Sequence, residues 1–212
     1  MKLYHYVHCP FCLRVRFALG FLQLPFESVV LPYEEEELLI KLTGKKMLPI
    51  MEIENDNINE SLHIIKKLDK DKALFRNISP NELEEIENIL TNLATEIHSL
   101  AMPYWMWTPE FNKASRKYFQ NKKEVKRGPF SELVNKSPEL MISLSKKLST
   151  IFDNKLQKYF ESDILTIKDI LIASHLWGLY IVPEFQFDKA LHDYLQRIKA
   201  ECDFNYHKDF WN

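Results

Sequence analysis

A change of hydrophobic period around a Cys-Pro-Phe-Cys tetrapeptide constrains the first part of this chain more than any other feature. Lys2–Val7 ("KLYHYV") is rich in aromatic and β-branched residues, which suits a short buried strand. Pro10 then stands where a first helical turn would begin, a position at which its missing N–H is not needed. Leu13, Val15, Phe17, Ala18, Phe21 and Leu22 continue as a helix, which Pro25 is expected to end. Residues 26–33 ("FESVVLPY") alternate and predict a second strand. A helix joining two strands is a crossover, so the two strands should run parallel.

The pattern continues with a short acidic helix in residues 34–46, stopped at Gly44, which suits a left-handed helix end. Residues 47–59 ("MLPIMEIENDNIN") predict a hairpin turning at Asn55-Asp56-Asn57, and residues 60–70 another helix. Strand, helix, strand, helix, hairpin and helix in that order make a thioredoxin-like α/β unit. Beyond residue 80 the strand signal stops. Leu83, Ile86, Leu90, Leu93, Ile97 and Leu100 recur at three and four residues, and so do Leu140, Leu144, Leu148, Ile151 and Leu156. Ser79-Pro80 and Ser137-Pro138 suit helix starts, and Thr166 with Asp169 suits a capping box stapled by Leu165 and Ile170. The expected architecture is α/β plus all-α: a thioredoxin-like domain over residues 1–72, a linker over 73–80 and an all-helical domain over 81–212.

Composition narrows the function classes. A net charge of -2 with no long basic stripe argues against a nucleic-acid partner, and the locally basic segment 118–128 reads as a solvated helix face. The longest apolar stretch, 170–182, contains Ser174 and His175 and is short for a membrane span. The opening residues lack an apolar run of signal-peptide length, so the expected setting is cytoplasmic, without membrane attachment. Three cysteines do not make a disulfide framework.

The chemistry therefore centres on Cys9 and Cys12. At the head of a helix, side chains three residues apart are neighbours, within the reach a disulfide needs. Cys9 would face the free N–H groups and positive end of that helix, which favour a thiolate. His8, Arg14 and Arg16 are candidates for added positive charge. Cys12, one turn inside, should be less exposed. Cys9 is then the attacking sulfur and Cys12 the resolving one. A zinc site would need further ligands, and Cys202 is remote in sequence and reads as a packing residue. Pro49 admits two readings, an ordinary strand-edge proline or a cis-proline that leaves the backbone of Leu48 open to an extended peptide. Glu60-Ser61 also admits two: plain helix capping, or a helix N-terminus that binds a carboxylate while Glu60 holds an ammonium. Tyr104, Trp105 and Trp107 are expected to pack in the core.

These pieces, in this order, resemble the glutaredoxin 2 family, bacterial glutaredoxins built on the glutathione transferase architecture. The resemblance rests on "KLYHYVHCPFCLRVRFALG", "GKKMLPIM", "NES" and "ASRKYFQNKKE". It implies a glutathione-dependent thiol–disulfide oxidoreductase that reduces glutathione mixed disulfides, with protein disulfides as a further substrate class. Glutathione would be a co-substrate, no cofactor would be permanently bound, and glutathione reductase would act indirectly. The resemblance makes Cys9 the nucleophile and Cys12 the resolving cysteine. It assigns glutathione contacts to the Leu48 backbone beside cis-Pro49, to Glu60 and Ser61, and to Tyr6 or Phe11 at the border of the thiol. It gives Thr166 and Asp169 a stabilising role. Leu48 replaces the family's smaller β-branched residue, and Asn59 replaces the proline before Glu-Ser. A glutathione transferase proper would need no second cysteine. A relative of the chloride intracellular channel proteins would need an insertable first domain, whereas residues 17–31 hold Pro25 and Glu27. A non-catalytic glutathione-binding module would bind without turnover. A monomer is expected, because no interdomain lock is visible.

Overall fold

The computed structural model describes residues 1–54 and 56–210. Four strands form a mixed sheet in the order β2-β1-β3-β4: β1 (Lys2–His5), β2 (Glu27–Val30), β3 (Ile50–Ile53) and β4 (Asp56–Asn59). β1 and β2 are parallel across the α1 crossover (Pro10–Phe21), with Lys2 opposite Glu27 and His5 opposite Val30. β3 runs antiparallel to β1 and to β4. Helix α2 (Glu37–Thr43) ends at Gly44 with φ 73°, and α3 (Ser61–Leu68) follows the hairpin.

Two local expectations shift. α1 stops at Phe21, four residues before Pro25, because the chain closes on itself there. Leu24 N–H donates to Leu19 O and Gln23 N–H to Gly20 O, both at 3.0 Å, with Gln23 left-handed at φ 53°. That is a Schellman closure, and it needs no proline. In the hairpin, Asp56 and Asn57 are paired strand residues of β4, opposite Ile53 and Glu52. The reversal lies earlier, at Glu54 with φ 58°, and Asn55 is outside the described residues.

The rest is helical: α4 (Pro80–Trp105), α5 (Lys113–Arg127), α6 (Phe130–Asn135), α7 (Ser137–Phe152), α8 (Ile167–Leu176) and α9 (Lys189–Glu201), with 3-10 turns at Trp177–Ile181 and Lys208–Phe210. A capping box between Ser79 and Glu82 starts α4, whose buried face carries Ile86, Leu90, Leu93, Ile97 and Leu100. α7 ends at Phe152, so Leu156 lies beyond the helix its spacing suggested; Asp153 takes an extended ψ of 127° and Asn154 a φ of 67°. Thr166 and Asp169 form the expected capping box at the start of α8, and the Asp169 carboxylate also accepts from Phe160 N–H and the Tyr194 hydroxyl. The chain is thus a thioredoxin-like α/β unit followed by a helical one.

The two parts share α1. Its outer face meets α8 and the chain after α9. Phe17 stacks on Phe204 at 4.0 Å between centroids, and Gly20 lies against the Cys202 backbone. Arg14, almost wholly buried, makes two parallel bonds to Glu87 of α4 at 2.6 and 2.8 Å. The connection between α3 and α4 is also tied down: Asp69 accepts from Ala73, Leu74 and Phe75 N–H, and Leu74 O accepts from Ile167 N–H at 2.8 Å. Among the described residues no helix is long and apolar enough to cross a membrane.

Candidate active site

Sheet register decides which loops meet. Tyr4 of β1 stands opposite Ile50 of β3, and Ile50 stands opposite Asn59 of β4. The residues just beyond this row are the β1–α1 turn with Cys9, the Leu48-Pro49 segment, and Glu60-Ser61. Three stretches that lie far apart in sequence, from Cys9 to Ser61, therefore gather at one end of the sheet. The Leu48–Pro49 peptide is cis. Leu48 is nearly buried, as is Ser61, the first residue of α3. Glu60 is exposed in the capping position with φ 70°.

Cys9 caps α1 with an extended backbone (φ -75°, ψ 122°), and its carbonyl accepts from Leu13 N–H at 2.9 Å. It is half-buried, whereas Cys12 is fully buried, and both are free thiols. The Cys9 thiol is held down to about 7, first by a hydrogen bond from the Cys12 thiol. Burial opposes this; the Cys12 and Phe11 backbone N–H groups and the charge of Lys123 reinforce it. Burial pushes the Cys12 thiol well up, and the hydrogen bond it donates adds to the rise. Two cysteines three residues apart are thereby made different: the capping thiol ionises the more readily, and the buried one donates a hydrogen bond to it.

Of the three cations expected from sequence, Arg16 acts on the thiol pair, its charge working against the rise of the buried Cys12 thiol, and none of the three is among the groups that shift Cys9. Arg14 is bound to Glu87, and Arg16 donates to the Tyr206 and Asn205 carbonyls at 3.0 and 2.7 Å. His8 is buried, which lowers its pKa, and its Nδ1 meets Glu110 Oε1 at 3.3 Å. The cation that acts on Cys9 comes from the segment read as solvated. α5 buries Phe119 to 1% exposure, and Lys123 one turn later is half-buried above the Phe119 and Tyr33 rings. Spacing held the signal: Ser115, Phe119 and Lys123 lie four apart, on one face of a helix whose overall charge concealed it.

Tyr6 borders the site with its ring. Its hydroxyl donates to Tyr33 O at 3.1 Å, and burial pushes its pKa up, so that proton stays in place. Phe11 is 46% exposed, edge-on to His175 of α8 at 5.7 Å and beneath the Arg14 guanidinium at 4.6 Å. Of the three residues assigned to the core, Trp105 is buried beside His8, Tyr104 is half-buried, and Trp107 is 66% exposed under Arg116. Trp107 lies past the end of α4, where it no longer shares the packed face. Cys202 is buried and its thiol is pushed up by burial, as suits a packing residue. Among the described residues no three His, Cys, Asp or Glu side chains converge to hold a metal.

Residues 3–75 match the family model of the glutathione S-transferase N-terminal domain. Glutaredoxin 2 of Escherichia coli is 29% identical over 212 residues, covering 97% of both chains. The solved glutaredoxin 2 of Salmonella typhimurium, in complex with glutathione, aligns with a TM-score of 0.86 at 26% identity, covering 97% of this chain and 95% of that one. The glutathione transferase GSTFuA3 of Phanerochaete chrysosporium shares the fold, with a TM-score of 0.74 at 15% identity over 96% of this chain and 97% of its own. Residues 85–210 match the model of the glutaredoxin 2 C-terminal domain, and with that match across most of its helical part the chain belongs to the glutaredoxin 2 family.

Proposed function

We propose that Cys9 is the nucleophile and Cys12 its partner in this glutathione-dependent oxidoreductase of the glutaredoxin type. One observation carries the assignment. The half-buried cysteine at the helix cap has the lowered pKa, and the buried one a turn later donates to it. A thiol near 7 is substantially ionised at neutral pH and is still a strong nucleophile.

With a glutathione mixed disulfide, the Cys9 thiolate attacks the glutathione sulfur. The old S–S bond breaks, the protein thiolate leaves and takes a proton, and Cys9 is joined to glutathione. A second glutathione, as thiolate, attacks that sulfur, releases glutathione disulfide and restores Cys9. One glutathione thiol is consumed, and the disulfide passes from the substrate to glutathione disulfide. With a protein disulfide, Cys9 forms a mixed disulfide with the protein. Cys12 then displaces it, leaving a Cys9–Cys12 bond for glutathione to reduce.

Glutathione would lie across the end of the sheet where the three loops meet. In this reading the Leu48 backbone beside Pro49 pairs with the peptide. Ser61 receives the γ-glutamyl carboxylate at the start of α3, and exposed Glu60 receives the ammonium. The glutathione held by the Salmonella relative supports that ligand. Phe11 and the Tyr6 ring would border the sulfur.

The test is glutathione-dependent reduction of a small mixed disulfide by wild type, Cys9→Ser and Cys12→Ser. Wild type and Cys12→Ser should turn over, and Cys9→Ser should be inactive. Substantial turnover by Cys9→Ser would overturn the assignment.

A further inference from the structure

We propose that Lys123, on α5 of the helical part, is the cation that holds the Cys9 thiolate, so that the reactivity of the thioredoxin-like part depends on a side chain from the other part. The proposal rests on Cys9 being the nucleophile, and it adds a positioning residue that acts on the sulfur through charge.

The geometry begins at the loop after β2. Tyr33 N–H donates to Ser115 Oγ at 3.2 Å, and Ser115 Oγ also donates to the Glu34 carboxylate. Tyr118 donates to Glu36 at 2.6 Å and accepts from Lys46 at 2.9 Å. α5 is therefore clamped to the thioredoxin-like part along one side. Ser115 and Phe119 on that side are buried to 0% and 1% exposure. Lys123 is the next residue along the same stripe. Its ammonium lies 5.6 Å from the Phe119 ring centre and 5.8 Å from that of Tyr33. The Tyr33 ring is 4.9 Å from that of Tyr6, whose carbonyl accepts from Cys9 N–H at 3.4 Å. The ammonium thus sits on the aromatic wall behind the cysteine.

Charge bookkeeping favours the sulfur as its partner. Among the described residues no carboxylate forms an ion pair with Lys123, and Cys9 is the acidic group whose charge raises its pKa against burial. Lys122, Lys126 and Arg127 of the same helix act on Lys123 repulsively. His8 and His98 face it from β1–α1 and α4, and burial lowers both, His98 to about 3. Around the sulfur stand Cys12, Tyr6, Tyr33 and Tyr206, none of them a cation. A half-buried ammonium without a carboxylate is costly unless an anion meets it. The thiolate is that anion.

The experiment alkylates the reduced full chain with iodoacetamide from about pH 5 to 10 and identifies the labelled cysteine by mass spectrometry. Lys123→Met keeps the aliphatic stem on Phe119 and Tyr33 and removes the charge. Lys123→Gln is a second neutral variant, Lys123→Arg keeps the charge, and Lys117→Gln removes an exposed charge from the same helix. Without the ammonium the thiolate is less favoured, so the titration midpoint must rise. Below pH 7 the neutral variants should be alkylated about three- to tenfold more slowly, as a screened charge interaction near a protein surface implies, and should converge with wild type in alkali. Lys123→Arg should stay near wild type and Lys117→Gln on it. Superimposable profiles, or an equal slowing at every pH, would overturn the proposal. A wild type that fails to reduce glutathione mixed disulfides would sink the functional reading alone. An unshifted midpoint in an active enzyme would sink Lys123 alone.

Discussion

Replacing Cys12 by alanine and by serine separates two roles that one thiol plays in this site. Cys12 is the largest cause of the lowered Cys9 pKa, yet it is buried and its own thiol is pushed up. Lowering Cys9 from 9.0 to about 7 is a shift of two units, or about 3 kcal/mol in favour of the thiolate. A hydrogen bond to a charged group contributes about 1.5–3 kcal/mol, so the Cys12 donor can account for one to two units by itself. Cys12→Ala removes the donor and should raise the Cys9 midpoint to about 8 or above. The thiolate fraction at pH 6 would fall about tenfold, and reduction of a glutathione mixed disulfide at pH 6 would slow with it. Cys12→Ser keeps an O–H in the same place, so its midpoint should stay within about half a unit of wild type. Both variants lack the second thiol, so any resolving role it has is lost equally in the two. The assay is thiolate absorbance in the ultraviolet against pH, paired with turnover at pH 6 and pH 9. Equal midpoints for the alanine and serine variants would refute the hydrogen bond as the main cause.

Two further outcomes concern the frame that carries the site. A Cβ at Gly20 would overlap the Cys202 carbonyl oxygen and stand 2.8 Å from its carbon, which is backbone and cannot swing away. Alanine would gain about 1 kcal/mol in helix propensity but lose about 1–3 kcal/mol or more to overpacking between α1 and the Phe204 stack, so Gly20→Ala should lower Tm by a few degrees; an equal or higher Tm would count against the close approach. Asp169→Ala strips the acceptor from Thr166, Phe160 and Tyr194 inside the helical part. That should cost about 3–5 kcal/mol and lower Tm by roughly 10 °C, and a loss within a degree or two would mean that those donors find other partners.

Much of the site is carried by local chemistry, and local chemistry is legible in a sequence. Cys-Pro-x-Cys behind an aromatic, β-branched run specifies a helix cap with a sulfur on it, because proline at the first turn and free N–H groups at a helix start are properties of a few consecutive residues. The capping boxes at Ser79 and Thr166 and the left-handed Gly44 are local in the same sense. Hydrophobic spacing separated the sheet from the helices, because strand and helix periods differ. Element ends were less legible. Phe21 ends α1 through a Schellman closure, and the hairpin reverses at Glu54, because both depend on which carbonyls are free once the neighbours have formed.

Charge direction was legible only in part: Arg16 acts on Cys12, and no cation singled out from sequence is among the groups that shift Cys9. His8, Arg14 and Arg16 stand beside the cysteines in sequence, but Glu87, Glu110 and the carbonyls of residues 205 and 206 claim them in space. Lys123 lies in a segment whose composition reads as solvated, and it sits over the Tyr33 and Phe119 rings because Ser115, Tyr118 and Phe119 clamp α5 onto the loop after β2. The sequence alone determined that two thiols would meet at a helix start, since three residues of helix bring any two side chains together. Only the tertiary structure decided which thiol has the lowered pKa and which side chain of the helical part lies over the rings beside it, since burial and Coulomb attraction depend on distance through space and not along the chain.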